Sequence, residues 1–280
     1  MWDASSGTQR RDLPYQSGDP DAVLMMHSSS ILALAISRDS ELLASGSSDG
    51  CIRVWRILTG ACVRRYEAAH SNAVTSLSFS RDTTHILSSS LDGTARVHGL
   101  KSGRMLRELR GHDGFVHCAV YTPDCEHIVT GGSDSTLRVW VARTGDVLRV
   151  SRLQGSTPEV LQTVLSVCPL PGGAALSEQQ LLVCTGERLQ MVSLGGAVGA
   201  AFGGELAAGS FVAAASSPHG DWLYGLTQAG ELCCFRVSTG KLENRQAAHE
   251  GKGALGLAHH PHLNLLASFG KEGLLKLWAA

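Results

Sequence analysis

The chain has 280 residues, with 24 Lys and Arg against 25 Asp and Glu, for a formal net charge of −1. That balance argues against a free-standing nucleic-acid binder, which typically carries a basic face and a pI above about 9. Hydrophobic residues at 43% and charged residues at 18% exclude bulk disorder, and aromatics at 5% require a mostly aliphatic core.

Taken in chain order, one pattern recurs. The segment 23–66 opens on His27, followed by the alternating run ILALAI, the turn SRDS, a strand that runs into an Asp-Gly turn, and a strand ending at Trp55. A Thr-Gly turn and the strand ACVRRYE close it. Segment 67–109 repeats this with His70, AVTSLSF, SRDT and a third strand ending at His98 rather than Trp. Segment 110–152 has His112, FVHCAVY, TPDC and Trp140. Segments 153–204 and 205–246 are weak copies, closing near Met191 and near Phe235, and lack the His and the Asp. Segment 247–280 restores the pattern with His249, GALGLAH, HPHL and Trp278, but places Glu272 where its siblings have Asp. His27, His70 and His112 each precede Asp49, Asp92 and Asp134 by 22 residues, and His249 precedes Glu272 by 23. Period-2 alternation reads as strand. Four short strands per unit of about 40–45 residues, joined by tight turns, read as the blade of a β-propeller.

Spacing, His, Asp and Trp recur together, and the chain resembles the WD40 family over essentially its whole length. The resemblance implies an all-β propeller with about six blades in this chain and seven in an intact family member. It also implies a hydrogen-bonded tetrad in each full blade. The sets are His27, Ser45, Asp49 and Trp55; His70, Ser88 and Asp92, altered by His98; His112, Thr130, Asp134 and Trp140; and His249, Ser268, Glu272 and Trp278. By that resemblance Asp accepts from turn N–H groups and from His, His contacts the hydroxyl, and the hydroxyl reaches the indole N–H. Each buried polar group then needs its partner. The two weak copies are expected to rest on apolar contacts.

Ser, His and Asp together also invite a hydrolase reading, but a triad occurs once per active site and this set repeats with the blade; no GxSxG elbow is present. His259, His260 and His262 have the look of a zinc cluster, yet they occupy the turn that reads SRDS or TPDC elsewhere and have no adjacent carboxylate or Cys, so the expectation is a turn and no metal. Cys233 and Cys234 are neighbours on a strand, face opposite ways and cannot chelate one ion. No GxxxxGK[ST] is present, so nucleotide binding is not expected, and no cofactor is expected. The eight cysteines form no CxxC, which fits buried thiols in a reducing compartment. Met1-Trp2-Asp3 begins no secretory signal, and the most apolar stretch, 195–217, is a poor membrane span because it is mainly Ala and Gly and carries Glu205. Arg10-Arg11, Arg64-Arg65, Arg104, Arg107 and Arg110 fall on expected fourth strands, where charge blocks edge pairing; contact with RNA or an acidic partner is the other reading.

Three stretches depart from the generic repeat: 31–82, 98–122 around His98, and the tail 239–278. Together they resemble the C-terminal WD40 domain of the Smu family of splicing factors. That resemblance implies a nuclear, non-catalytic scaffold for spliceosomal proteins, with a RED-type partner in the intact member and no direct nucleic acid, membrane or small-molecule substrate. The family's N-terminal LisH-type region has no counterpart here, and 1–22 reads as the end of a truncated blade. Two readings of this stand: a shortened chain, or a six-bladed ring closed by a strand from Thr8 to Leu13. The alternatives from other classes are a substrate receptor of a cullin-type ubiquitin ligase and an enzyme using the central channel. Blade geometry nominates Ser48, Asn72, Leu91, Phe115 and Ser133 for partner contacts, with Phe115 equally readable as a core strand residue.

Overall fold

The computed structural model of the chain describes residues 27–153, 162–171, 178–203, 210–249 and 253–279. Every regular element among them is a β-strand. The first sheet contains β1 (Ile31–Ile36), β2 (Leu42–Ser47), β3 (Ile52–Arg56) and β4 (Cys62–Tyr66). The second contains β5 (Val74–Phe79), β6 (His85–Ser90), β7 (Thr94–Gly99) and β8 (Met105–Arg110), and the third β9 (Val116–Tyr121), β10 (His127–Gly132), β11 (Thr136–Val141) and β12 (Val147–Arg152). The fourth contains β13 (Val164–Pro169), β14 (Gln180–Thr185), β15 (Leu189–Ser193) and β16 (Val198–Phe202). The fifth contains β17 (Phe211–Ser216), β18 (Trp222–Thr227), β19 (Glu231–Arg236) and β20 (Leu242–Ala247). The sixth has three described strands, β21 (Ala254–His259), β22 (Leu265–Gly270) and β23 (Leu275–Ala279). In each sheet the strands follow chain order, the up-and-down meander of a propeller blade. The stretch Thr8 to Leu13, with Arg10 and Arg11, lies outside the described residues.

The chain divides into two compact units, one of 1–130 with 140–146 and the other of 131–139 with 147–280. In the first, β1 packs on β5 and β5 on β9, around buried Ala44, Ile52, Val54 and Val74 in one cluster and Leu87, Val97, Leu109, Ile128 and Trp140 in another. In the second, β13 and β14 pack on β17, and β17 on β21, around Leu182, Leu189, Phe202, Phe211 and Phe235.

Three local devices recur among the sheets. The first strand carries a bulge after its first residue, between Ile31 and Ala33, Val74 and Ser76, Val164 and Ser166, Phe211 and Ala213, and Ala254 and Gly256. An extra residue there shifts which side chains face inward. The turn after that strand is stapled by an acceptor side chain. Ser37 Oγ donates to Asp39 Oδ1 at 2.5 Å and accepts from Leu42 N–H at 2.9 Å, while Glu41 N–H reaches Asp39. Ser80 with Asp82 and Thr122 with Asp124 repeat this. In the sixth sheet His260 Nδ1 takes the same place, accepting from His262 N–H at 3.1 Å and Leu263 N–H at 2.9 Å. The third device is the glycine between the second and third strands. Gly50 has φ +78°, and its carbonyl accepts from His70 N–H at 3.0 Å. A Cβ on Gly50 would lie 2.3 Å from the His70 carbonyl oxygen, so both the backbone conformation and the approach of the next sheet demand glycine.

Candidate functional site

The third strand of each sheet presents one inward side chain opposite the second strand: Trp55 opposite Leu43, His98 opposite Ile86, Phe235 opposite Leu223, Trp278 opposite Leu266. In the fourth sheet this place falls to Val192, opposite Leu181, one residue beyond Met191. What surrounds it differs from sheet to sheet.

In the second sheet Ser88 is a fully buried hub. His70 Nε2 lies 2.8 Å from Ser88 Oγ, and His70 Nδ1 lies 2.9 Å from Asp92 Oδ2. With the carboxylate accepting, His70 carries its proton on Nδ1 and its Nε2 accepts from the Ser88 hydroxyl. His98 Nε2 then donates to Ser88 Oγ at 3.2 Å, in the place of an indole N–H, and His98 Nδ1 is buried with no partner. Burial, then the nearby His70 and Arg96, push His98 down to about 3, so it is neutral at pH 7. Burial works against ionisation of Asp92, but hydrogen bonds from Thr94 and the charge and hydrogen bond of His70 outweigh it and hold the carboxyl at about 2.

The other full sets are built alike, with one exception. Thr130 Oγ1 lies 2.7 Å from His112 Nε2 and accepts from Trp140 Nε1 at 2.8 Å. Asp134 accepts from Thr136, at 3.1 Å from its N–H and 2.8 Å from its hydroxyl. Ser268 Oγ lies 2.9 Å from His249 Nε2 and 2.9 Å from Trp278 Nε1, and His249 Nδ1 donates to Glu272. Glutamate thus spans the same link as aspartate. The exception is the first sheet. Ser45 meets His27 Nε2 at 2.7 Å and Trp55 Nε1 at 2.9 Å, but His27 Nδ1 stands 4.0 Å from Asp49 Oδ2. That oxygen accepts from Ser28 Oγ at 3.0 Å instead, and Cys51 N–H binds the other. The expected His–Asp hydrogen bond is therefore not made there: the Ser28 hydroxyl has taken the acceptor. Burial, then Arg53, lower the His27 pKa, with Asp49 working the other way.

The weak copies replace the polar hub outright. Val183 and Val192, both buried, stand where a hydroxyl and Trp stand elsewhere. In the fifth sheet Gly225 takes the hydroxyl position and Phe235 the Trp position. Phe211 fills the vacated space: its ring comes 2.5 Å from where a Cβ on Gly225 would lie, and sits 6.4 Å from the Phe235 ring.

None of this chemistry is nucleophilic. The Ser88, Thr130 and Ser268 hydroxyls are buried and committed to fold hydrogen bonds. Burial pushes the thiols of Cys184 and Cys233 up to about 12 and about 11, so neither is a thiolate at neutral pH. Cys233 is buried and Cys234 half-buried, on opposite faces of β19. Asp124, Glu126 and His127 bring ligand atoms within 4.8 Å of one another, a grouping the spacing arguments missed; it is the stapled turn after β9, with Asp124 Oδ1 already bound to Thr122 and Glu126 N–H.

The nominated contact residues sit in turns. Ser48 follows β2 and pairs its hydroxyl with Ser29 at 2.6 Å. Asn72 precedes β5, exposed, with its side chain on Ala73 N–H. Leu91 follows β6 and Ser133 follows β10, both half-buried. Phe115, immediately before β9, is 51% exposed, which decides against the core reading. Of the arginines, Arg64 on β4 does more than guard an edge: it donates to the carbonyls of Leu100 and Lys101 at 2.7 and 3.2 Å. Arg107 and Arg110 lie on β8, and Arg104 just before it.

The family model described as "WD domain, G-beta repeat" matches residues 18–56, 60–98 and 103–141. The chain is similar to the protein named "WD40 repeat-containing protein smu1" of Dictyostelium discoideum, with 36% identity over 280 residues, covering 99% of this chain and 51% of that protein. It thus spans about half the length of that relative. With six sheets of blade topology, matched repeats and hydroxyl-centred networks in four sheets, this chain belongs to the WD40-repeat family of β-propeller proteins.

Proposed function

We propose that the chain is a non-catalytic, protein-binding scaffold of the pre-mRNA splicing machinery, working in the nucleus. The observation that carries this is the end-to-end similarity to a Smu-type WD40 protein, which spans the weak copies as well as the strong ones. Fold alone does not carry it, since propellers host many functions. A binding role is also supported by the commitment of the buried Ser88, Thr130 and Ser268 hydroxyls and their histidines to hydrogen bonds of the fold. The repeated His, Ser or Thr, Asp or Glu and Trp sets are structural in this reading, and the turn residues Ser48, Asn72, Leu91, Phe115 and Ser133 are contact candidates. The partners are spliceosomal proteins, RED-type in an intact family member.

The test is affinity capture with this chain from nuclear extract, with proteins and small nuclear RNAs identified together. Recovery of core splicing proteins with spliceosomal RNAs supports the reading. Recovery of cullin-ligase adaptors instead, or of no splicing component, overturns it.

A further inference from the structure

The third and fourth strands of the first two sheets are rich in positive charge. Residues 52–67 hold four arginines against Glu67, and residues 94–110 hold four arginines and a lysine against Glu108. One of these arginines differs from its counterpart in the next sheet. Arg96 on β7 stands opposite Glu108 on β8, and its Nε and Nη2 donate to Glu108 Oε1 at 3.0 and 2.6 Å. Its Nη1 donates to Ala69 O at 2.5 Å. In the sixth sheet Lys276 holds the same place, opposite Ser268, and donates to Ala248 O at 2.6 Å.

Arg53 on β3 is the equivalent residue of the first sheet: it stands opposite Ser45 as Arg96 stands opposite Ser88. Across from it on β4, however, is Arg65. Arg53 is 8% exposed, and its Nε and Nη1 are buried with no hydrogen-bond partner among the described residues. Arg65 is exposed and has the exposed Glu67, two residues along the chain, 3.8 Å away. Residues facing each other across two strands have Cβ atoms about 4.5–5.5 Å apart, and like charges so placed repel. A buried guanidinium with no acceptor is costly, and a carboxylate that takes two of its N–H groups offsets that cost. Arg53 and Arg65 thus double the cation of the Arg96–Glu108 pair with no carboxylate between them among the described residues. The place to be filled is that of one side-chain carboxylate beside a buried fork. A glutamate on its flexible stem reaches it, whereas a phosphodiester flanked by two riboses meets Arg65 and stops short of Arg53.

We infer that Arg53 and Arg65 form a carboxylate-binding site, which takes a glutamate or aspartate side chain from an acidic segment of a partner protein. The inference rests on the protein-binding reading above and names the site and the partner chemistry.

The test is fluorescence anisotropy of the full chain with a fluorescein-labelled octapeptide in which glutamate alternates with serine. A peptide with glutamine for glutamate and a labelled octauridylate are the other probes. Saturable binding of the glutamate peptide is expected, weakening with added salt, with the other two probes at least about tenfold weaker. Arg65→Glu sets a carboxylate opposite Arg53 as Glu108 stands opposite Arg96, so it should raise the thermal midpoint and abolish peptide binding. Arg53→Met removes the unpaired buried charge, so peptide binding is lost while the midpoint stays at or above the wild-type value. No saturable binding, equal affinity for the glutamine peptide, or tighter binding of octauridylate overturns the inference. So does wild-type peptide affinity in either variant, a midpoint that fails to rise in Arg65→Glu, or one that falls in Arg53→Met. Asp19 and Asp21 lie outside the described residues; if Asp19→Asn with Asp21→Asn tightens peptide binding at least about tenfold, the chain's own acids hold Arg53 and the inference fails. If Arg65→Glu captures splicing proteins as the wild type does, the site fails as a docking point and the scaffold reading stands; if the wild type captures none, the scaffold reading fails separately.

Discussion

The third and fifth sheets solve one packing problem in opposite ways. In the third, Trp140 drives an N–H into the interior and Thr130 receives it, with His112 on the far side of the hydroxyl. In the fifth, Phe235 brings no donor, Gly225 offers no acceptor, and the Phe211 ring fills the volume. The polar solution depends on every member, because an orphaned buried group costs about 1–3 kcal/mol. The apolar solution depends on volume alone. The comparison teaches that the polar set is one filling of a blade and not a requirement of it. The glycine turn, by contrast, appears in both kinds: Gly230 of the fifth sheet has φ +88° and stands against the His249 carbonyl as Gly50 does against that of His70.

The widest separation between the two solutions is expected from Phe211→Ala. It opens a cavity beside Gly225 and should cost about 3–5 kcal/mol in urea unfolding. Adding Gly225→Ser to it should recover part of that loss, since the Cβ then has room; no recovery would mean that Phe211 does not replace the hub. In the third sheet Thr130→Val keeps the volume and removes the hydroxyl. His112 Nε2 and Trp140 Nε1 both lose their partner, for an expected cost of about 3 kcal/mol. A cost below about 1 kcal/mol would show that water reaches the site and that the network is not closed.

The second sheet lies between the extremes, and its altered residue is compensated from a distance. Tyr66 on β4 stands opposite Ile52, as Leu109 on β8 stands opposite Ala95 one repeat later. Leu109 shares a core cluster with Trp140, while Tyr66 sits 5.0 Å from His98 and donates its hydroxyl to Gly99 O at 2.9 Å. A larger residue from one sheet thus meets the smaller residue of the next. His98→Trp alone should overpack this space and cost about 1–3 kcal/mol. Tyr66→Leu with His98→Trp should cost less than the sum of the two single changes, and additivity in that double-mutant cycle would break the pairing. The double variant also changes the acid limb. Folded His98 stays neutral down to about pH 3, against 6.5 unfolded, so the unfolded chain binds the extra proton between those values and stability falls as pH drops through them. Without His98 the thermal midpoint should fall less steeply over that window; an unchanged slope would assign the acid sensitivity to other groups.

This also marks what the sequence could and could not disclose. The His-to-Asp interval, the Asp-Gly turns and the strand alternation are local, so they are legible residue by residue and led directly to blades. The apolar filling of the fourth and fifth sheets was legible as absence, but its agent was not: Phe211 acts on Gly225 only because the bulge between Phe211 and Ala213 re-aims the strand. Tyr66 and His98 lie 32 residues apart on different repeats, so His98 stands out as a departure from Trp while nothing local links it to Tyr66. Ser28 carried no motif at all. Its effect on Asp49 is one of hydrogen-bond competition, which sets the His–Asp distance at 4.0 Å rather than 2.9 Å and which spacing does not encode.

That competition supplies the smallest expected effect and the finest comparison, between the first and second sheets. His70 and Asp92 are in contact at 2.9 Å, whereas His27 and Asp49 are 4.0 Å apart with Ser28 on the acceptor oxygen. Ser28→Ala removes an exposed hydrogen bond and frees Asp49 Oδ2. Stability should change by no more than about 0.5 kcal/mol, since the lost bond is exposed and the freed oxygen can take His27 Nδ1–H, which is buried without a partner. The protonation of His27 should change more visibly. Burial and Arg53 depress its pKa and Asp49 opposes them, so a closer carboxylate raises it. Histidine ring resonances followed by NMR across pH should then show the His27 midpoint moving up in Ser28→Ala, with that of His70 unchanged. A stationary His27 midpoint would mean that the backbone of the first sheet, and not the Ser28 hydroxyl, keeps the pair apart.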